Sequence, residues 1–220
     1  MVVFKLKISA RYIEISLHYF SVDDPCTTEY YPRKYGAIIL SRFPIIDSGR
    51  FAYNRKHLPE HFIYATLDIN GKKIRFYNTH LRSMFLHWHG GDKKTPFTLD
   101  DSRVITQGTT TEKLKYFDSI HIFQAQLIKY QLNQCKIPFI FCADLNSVPS
   151  SYVYHHISSG LNDAFVQNGT GWGGTYSEIL PSLRIDVVLC SNQLTTTQYY
   201  SPRLRNASDH YPIVTDIVIH

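Results

Sequence analysis

The sequence predicts a mixed α/β fold of the α+β or layered-sandwich type. Three observations carry this expectation: short runs in which apolar and polar side chains alternate, one long segment with apolar residues at helical spacing, and no regular strand–helix–parallel-strand succession. With 220 residues, 44% of them hydrophobic, the chain suits one globular domain over residues 1–220 that encloses a substantial core. Only 19% of residues are charged and 14% are aromatic, which sets the chain apart from disordered compositions.

Phe4, Leu6 and Ile8 alternate with Lys5, Lys7 and Ser9, and Ile13, Ile15 and Leu17 repeat the period, so residues 2–17 read as strand. The polar stretch 23–34 reads as loop. Runs over 37–40, 62–69 and 73–78 are short and β-rich. The last two flank Asn70-Gly71, the strongest short-range signal for a hairpin, and such a hairpin delivers Asn78-Thr79-His80 to a strand end. Residues 82–111 are polar and irregular, with Gly90-Gly91, and read as a long loop of the kind that often carries function. Thr109 with Glu112 forms a capping-box pattern, and the segment 112–134 has no Gly or Pro and spaces Leu114, Phe117, Ile120, Phe123 and Leu127 as a helix does. A strand over 137–142, Asp144-Leu145-Asn146, a short helix over 150–157, a glycine-rich loop over 169–174, a buried strand over 186–190 and a last strand over 213–219 complete the pattern.

The formal net charge of +5 comes from scattered basic residues, so it favours an anionic partner only mildly. Cys26, Cys135, Cys142 and Cys190 show neither paired-cysteine spacing nor the density of a disulfide scaffold, and Cys142 and Cys190 sit in apolar runs as small hydrophobes. A structural zinc site is therefore not expected. No run approaches the apolar length of a membrane-spanning helix, and charges interrupt the first residues too early for a signal peptide; the compartment stays open.

Four polar clusters each stand at the end of an apolar strand: Asn78-Thr79-His80, Asp144-Leu145-Asn146, Arg184-Ile185-Asp186 and Ser208-Asp209-His210. Polar groups at strand ends can converge on one rim of a sheet without entering its core. Singly, each has a plainer role: Asp144 and Asn146 as an Asx turn, His80 as a strand-end histidine with its bonds satisfied, Asp209 as a turn residue.

The set resembles the endonuclease/exonuclease/phosphatase superfamily. The resemblance rests on YGAIILSRFPI (35–45), FYNTHL (76–81), FIFCADLNSVP (139–149), LRIDVVL (183–189) and ASDHYPIV (207–214), and it covers residues 35–220. It implies a DNase I-like layered α/β sandwich: two packed mixed β-sheets flanked by helices, with the site at one end. It also implies a hydrolase that cleaves phosphate esters with a divalent cation, Mg2+ or Mn2+.

Residue by residue, the resemblance implies that His80 hydrogen-bonds a non-bridging phosphate oxygen, Asp144 orients the nucleophile, and Asn146 places the phosphate. Ala143 stands where the family's motif has Gly. Asp186 would hold His210 in one tautomer and support its protonated form. Asp209 would contact the metal, directly or through water. Arg82 and Arg184 are secondary candidates for phosphate contacts, since a guanidinium matches phosphate geometry, though ordinary surface charge explains them as well. Phe85, Trp88 and Trp172 are aromatic residues that either stack on a substrate or cover the rim.

The family's first strand, ending in Asn, and its second, ending in Gln-Glu and supplying a principal metal ligand, are not recognisable in the chain. Glu14 lies in an alternating segment and reads as a solvent-facing strand residue more readily than as that ligand. The expectation is a domain incomplete or divergent over 1–34, with weakened metal binding and self-association through an uncovered sheet edge. The expected activity is that of a phosphodiesterase or nuclease acting on a phosphate-ester substrate, nucleic acid included. A phosphomonoesterase on a lipid or soluble phosphate, or a catalytically impaired binding module, are the other readings.

Overall fold

A computed structural model of the chain describes residues 18–23, 36–53, 60–84, 99–177, 182–203 and 208–220. The strands read over 2–17, Glu14, Cys26, Phe85 and Trp88 lie outside the described residues, as does nearly all of the 23–34 loop.

Local chemistry places the first elements. Strand β1 (His18–Asp23) pairs antiparallel with β2 (Gly36–Ser41), and β3 (Ile45–Ala52) pairs antiparallel with β4 (His61–Ile69). Strands β4 and β5 (Lys72–His80) form the hairpin expected at Asn70-Gly71, where both residues take positive φ, 54° and 84°, as a two-residue turn between twisted strands demands. The segment that follows is not irregular throughout: it contains helix α1 (Leu99–Gln107). Helix α2 (Thr110–Gln134) starts at the capping box, Thr109 Oγ1 accepting from the Glu112 N–H and the Glu112 carboxylate accepting from the Thr109 N–H.

Next come β6 (Phe139–Asp144), α3 (Tyr152–Ser158), β7 (Asn162–Asp163), α4 (Ala164–Asn168), β8 (Asp186–Cys190), β9 (Leu194–Tyr200) and β10 (Val214–Ile219). Six strands form one mixed sheet in the order β3-β4-β5-β6-β8-β7, in which β5 and β6 are parallel and the other neighbours antiparallel. Parallel neighbours need a crossover of a dozen residues or more, and α2 lies within the one between β5 and β6.

The two faces of this sheet bury different partners. On one face Phe62, Tyr77, Phe139, Phe141, Val187 and Leu189 pack with Ala125, Ile128 and Leu132 of α2 and with Val153 and Ile157 of α3. On the other face Leu67, Ile74, Phe76, Ile140, Cys142 and Val188 pack with Leu194 of β9 and Ile217 of β10, and Ile39 of β2 adds to the same cluster. Each such large apolar side chain contributes on the order of 1.5–3 kcal/mol by leaving water. The result is a helix layer, a six-stranded sheet and a second β-layer. Among the described residues, that second layer comprises two antiparallel pairs, β1–β2 and β9–β10.

The buried stripe of α2 also departs from the expected one. Leu114 is 38% exposed, while Lys113, Phe117, Ile120, His121, Gln124, Ala125, Ile128 and Leu132 are buried, so three polar residues stand among the buried ones. Among the described residues, no helix is long and apolar enough to cross a membrane.

Candidate active site

Strand alternation sets the floor of the site. Ile74 and Phe76 of β5 face the second β-layer, as do Ile140 and Cys142 of β6 and Val188 and Cys190 of β8. By the two-residue period of a strand, His80, Asp144 and Asp186 stand on that same face. Register then aligns them: His80 is the partner of Asp144 across β5–β6, and Asp144 is the partner of Asp186 across β6–β8. Three polar side chains thus form a row across three adjacent strands, where the apolar runs end.

His210 enters from the segment between β9 and β10. Its Nδ1 lies 2.8 Å from Asp186 Oδ2, and its Nε2 lies 3.6 Å from Asp144 Oδ2. His80 Nε2 is also 3.6 Å from Asp144 Oδ2, so that oxygen sits between two imidazoles. The Tyr176 ring covers His210 with ring centres 4.9 Å apart. Thr175, fully buried, accepts with Oγ1 from the backbone N–H groups of Ile185 and Asp186 at 3.1 Å each, and its carbonyl accepts from Tyr211 N–H. One threonine thereby ties the start of β8 to the turn that carries His210.

Asn146 caps the end of β6. Its backbone takes φ 44°, its N–H donates to Asp144 Oδ1 at 2.9 Å, and its Nδ2 donates to the Leu81 carbonyl at 3.0 Å. The Asx turn that explains Asp144 and Asn146 structurally is therefore present, and Asp144 Oδ2 still faces the histidines. Two residues of α2 hold the neighbouring loop: His121 Nε2 lies 2.6 Å from the Arg82 carbonyl, and Gln124 Oε1 accepts from Arg82 N–H at 3.2 Å. His121 Nδ1 also meets Ser147 Oγ at 3.2 Å, so α2 clamps the residues just beyond both His80 and Asn146.

Burial acts first on the electrostatics. It raises the Asp144 carboxyl above its ordinary range; the charges of His80 and His210 oppose this, and that of Asp186 adds to it. Burial pulls the His210 ring down, but its hydrogen bond to Asp186 and the charges of Asp186, Asp144 and Asp209 more than offset this and leave it raised. His121 is lowered by burial, against the pull of its bond to the Arg82 carbonyl.

Two expected phosphate contacts give way to buried ion pairs. Arg184 is 6% exposed, its guanidinium donates to Asp163 Oδ2 at 2.8 Å, and it lies over the rings of Phe165 and Tyr154. Arg82 is 3% exposed and donates to Glu60 Oε1 at 2.8 Å. A buried guanidinium needs a carboxylate partner, and here each serves the fold. Asp209 is exposed; its Oδ1 accepts from Ser208 Oγ at 3.2 Å and its carbonyl accepts from Ser177.

Among the described residues, the ligand atoms that lie within 4.8 Å of one another belong to Asp144, Asp186 and His210, and Asp209 is outside that group. Two carboxylates offer the hard oxygen donors that magnesium or manganese takes, so the donor chemistry fits such a cation on Asp144 and Asp186. His210 is the weaker donor, because its raised basicity favours the protonated ring.

Sequence reasoning missed Thr175, Tyr176, His121 and Gln124. For the α2 pair a signal exists: both stand on the stripe of Phe117, Ile120 and Ile128, where a polar residue must find a partner.

Residues 6–210 match the Endonuclease/Exonuclease/phosphatase family, a span that begins upstream of the first motif at residue 35. No curated relative matches the chain. Among solved structures the chain is similar to an endonuclease/exonuclease/phosphatase from Bacteroides vulgatus, with TM-score 0.65 and 17% identity over 93% of this chain and 77% of that one. It is similar to the catalytic domain of human Nocturnin, solved with a bound sulfate anion, with TM-score 0.62 and 18% identity over 93% and 73%. It is also similar to a mannosyl-6-phosphatase from Bacteroides thetaiotaomicron, with TM-score 0.57 and 17% identity over 91% and 77%. At such identities the likeness is one of fold, while the sequence match spans most of the chain: the protein belongs to the endonuclease/exonuclease/phosphatase family.

Proposed function

We propose that the protein is a divalent-metal-dependent phosphoesterase whose reacting phosphate lies over the row His80–Asp144–Asp186, with His210 beside it. The observation that carries this reading is the single Asp144 Oδ2 facing two imidazoles at 3.6 Å, next to a His210–Asp186 pair at 2.8 Å. Such a row brings together a proton acceptor, positive donors and an oriented histidine within reach of one phosphoryl group.

His210 donates its Nδ1 proton to Asp186, which fixes the ring and leaves Nε2 toward the site; in its protonated form Nε2–H bonds a phosphoryl oxygen as charge builds there. His80 bonds a second oxygen. Asp144, whose Oδ2 faces the two histidines, orients the attacking water. Asn146 fixes the Asp144 carboxylate through its N–H. A magnesium or manganese ion held by Asp144 and Asp186 would supply charge neutralisation and a more acidic bound water. Asp209 adds negative charge near His210.

The leading substrate class is a phosphodiester. A phosphomonoester is the second reading, favoured by the likeness to a mannosyl-6-phosphatase. Initial rates on matched mono- and diesters with magnesium separate the two. Diester cleavage with little phosphate release supports the first reading, phosphate release from monoesters the second, and no turnover of any ester contradicts both.

A further inference from the structure

Beside the row, the loop over 169–174 and the end of β9 enclose a cavity of about 470 Å³ that the chemistry above does not use. Its wall includes Trp172, Tyr199, Tyr200, Ser201, Ser182 and Arg203. Two atoms of that lining are anomalous. Tyr199 Oη and Ser201 Oγ are buried with no hydrogen-bond partner, whereas buried polar atoms in folded proteins are nearly always satisfied. At the mouth the Trp172 indole is 84% exposed and Tyr200 is 44% exposed, so large aromatic faces meet solvent beside glycines, hydroxyls and Arg203. Gly173, at φ 64°, lies so close to the Phe165 ring of α4 that a Cβ there would collide with it.

The cavity adjoins the reacting centre. Gly174 in its wall is followed by Thr175, which holds Asp186, and by Tyr176, which covers His210. Ser182 is followed by Leu183, whose carbonyl accepts from Thr175 and Tyr176. The wall and the reacting centre are thus joined through consecutive residues, and the charge of Asp186 acts on the Tyr199 hydroxyl of the lining.

The lining selects the ligand's chemistry. Among the described residues no carboxylate lines the cavity, which argues against a cationic head group, and hydroxyls with glycines argue against an acyl chain. Two unsatisfied hydroxyls that both donate and accept suit a partner of the same kind. Exposed aromatic faces suit the flat face of a ring, and Arg203 suits an anionic group. We propose that this cavity binds the hydroxylated sugar ring of a phosphorylated substrate, with Tyr199 Oη and Ser201 Oγ bonding its hydroxyls and Trp172 lying against its face. This rests on the phosphoesterase reading and narrows its substrate to sugar-phosphate esters, from nucleotides or from phosphorylated carbohydrates.

Trp88 and Trp172 are the two tryptophans, so the Trp88→Phe chain reports on Trp172 fluorescence alone. It is titrated, with magnesium present, with adenosine 5′-monophosphate, glucose 6-phosphate, glycerol 3-phosphate and inorganic phosphate. At least one of the two ring-bearing ligands should saturate the signal at a concentration ten or more times lower than the ring-free pair. Response to the nucleotide alone, the carbohydrate alone or both supports the proposal and identifies the source of the ring. The double substitution Tyr199→Phe with Ser201→Ala should weaken ring binding about tenfold, leave phosphate binding unchanged and leave the melting temperature no lower. Equal binding of all four ligands, or ring binding unchanged in the double variant, overturns it. A failed titration in a preparation that hydrolyses aryl phosphodiesters would sink the cavity assignment alone. Ring binding without hydrolysis of any ester would sink the phosphoesterase reading alone.

Discussion

The Nδ1 of His210 stands 2.8 Å from Asp186 Oδ2, and this contact joins β8 to the turn before β10. Replacing Asp186 by Asn keeps the shape and removes the charge that raises the ring's pKa. The protonated His210 that the proposed chemistry uses is lost as pH rises through its raised pKa, above its ordinary value of about 6.5. The native chain should therefore show a falling limb of kcat/KM on that side. Asp186→Asn should move the limb to lower pH and reduce kcat by about 10³–10⁴. A pH–rate profile of both proteins checks this, and an unmoved limb would detach His210 from it.

Asp144 carries a stability cost that its role explains. A carboxyl whose pKa is raised on folding favours the protein while protonated, below about pH 3.9, and that contribution is lost as pH rises through the raised value. Asp144→Asn should consequently melt higher than the native chain at pH 7 in chelator-containing buffer, by about 2–4 °C for each kcal/mol relieved in a chain of this size. The same variant should lose turnover. A lower melting temperature at pH 7 would show the carboxylate to be structural.

His121 gives the opposite pH dependence. Burial depresses its pKa, so its contribution to stability is complete above about 6.5 and lost as pH falls toward the folded-state value. Melting curves from pH 7.5 to pH 5 should show the native chain losing stability over that interval. His121→Gln, which retains a donor for the Arg82 carbonyl, should lose less. Parallel curves would mean that His121 does not govern the acid limb.

Asn146 separates backbone from side chain. At φ 44°, a replacement with an ordinary Cβ costs about 1–2 kcal/mol, while Gly costs nothing sterically. Asn146→Ala should be less stable than Asn146→Gly in urea titrations, yet both should lose activity because both lack the amide that holds the Leu81 carbonyl. Full activity in the Gly variant would reduce Asn146 to a turn residue.

Short-range chemistry was legible in the residues themselves, whereas of the long-range partnerships only that of Asp186 with His210 was expected, and it came from the family resemblance. The Asn70-Gly71 turn and the Thr109/Glu112 box act within a few residues, and both form as expected. Three of the four polar clusters were legible because each sits at the end of an apolar strand, whereas Ser208-Asp209-His210 lies in the segment before β10. The partners of Arg82 and Arg184 lie 22 and 21 residues away in sequence, so two ordinary-looking arginines became buried ion pairs only through folding. Helix α1 was hidden in polar sequence, and the short α4 has too few turns to show a period. Leu114 fitted a helical stripe but lies on the solvent side of it, since the sheet beneath α2 selects the stripe through Phe117, Ala125 and Leu132. Thr175 carried no periodic or motif signal; its task, bonding two backbone N–H groups across ten and eleven residues, exists only in the folded chain.

The central claim is that His210, Asp186 and Asp144 form a metal-dependent phosphoester-cleaving site. Its most direct test is the initial rate of aryl phosphodiester hydrolysis by the native chain and by His210→Ala, purified identically, each with magnesium and again after treatment with a chelator. The rate should fall by at least about a hundredfold both in the variant and on chelation, and return on adding magnesium to the native chain alone. A rate that survives the chelator, or that is equal in His210→Ala, would contradict the account.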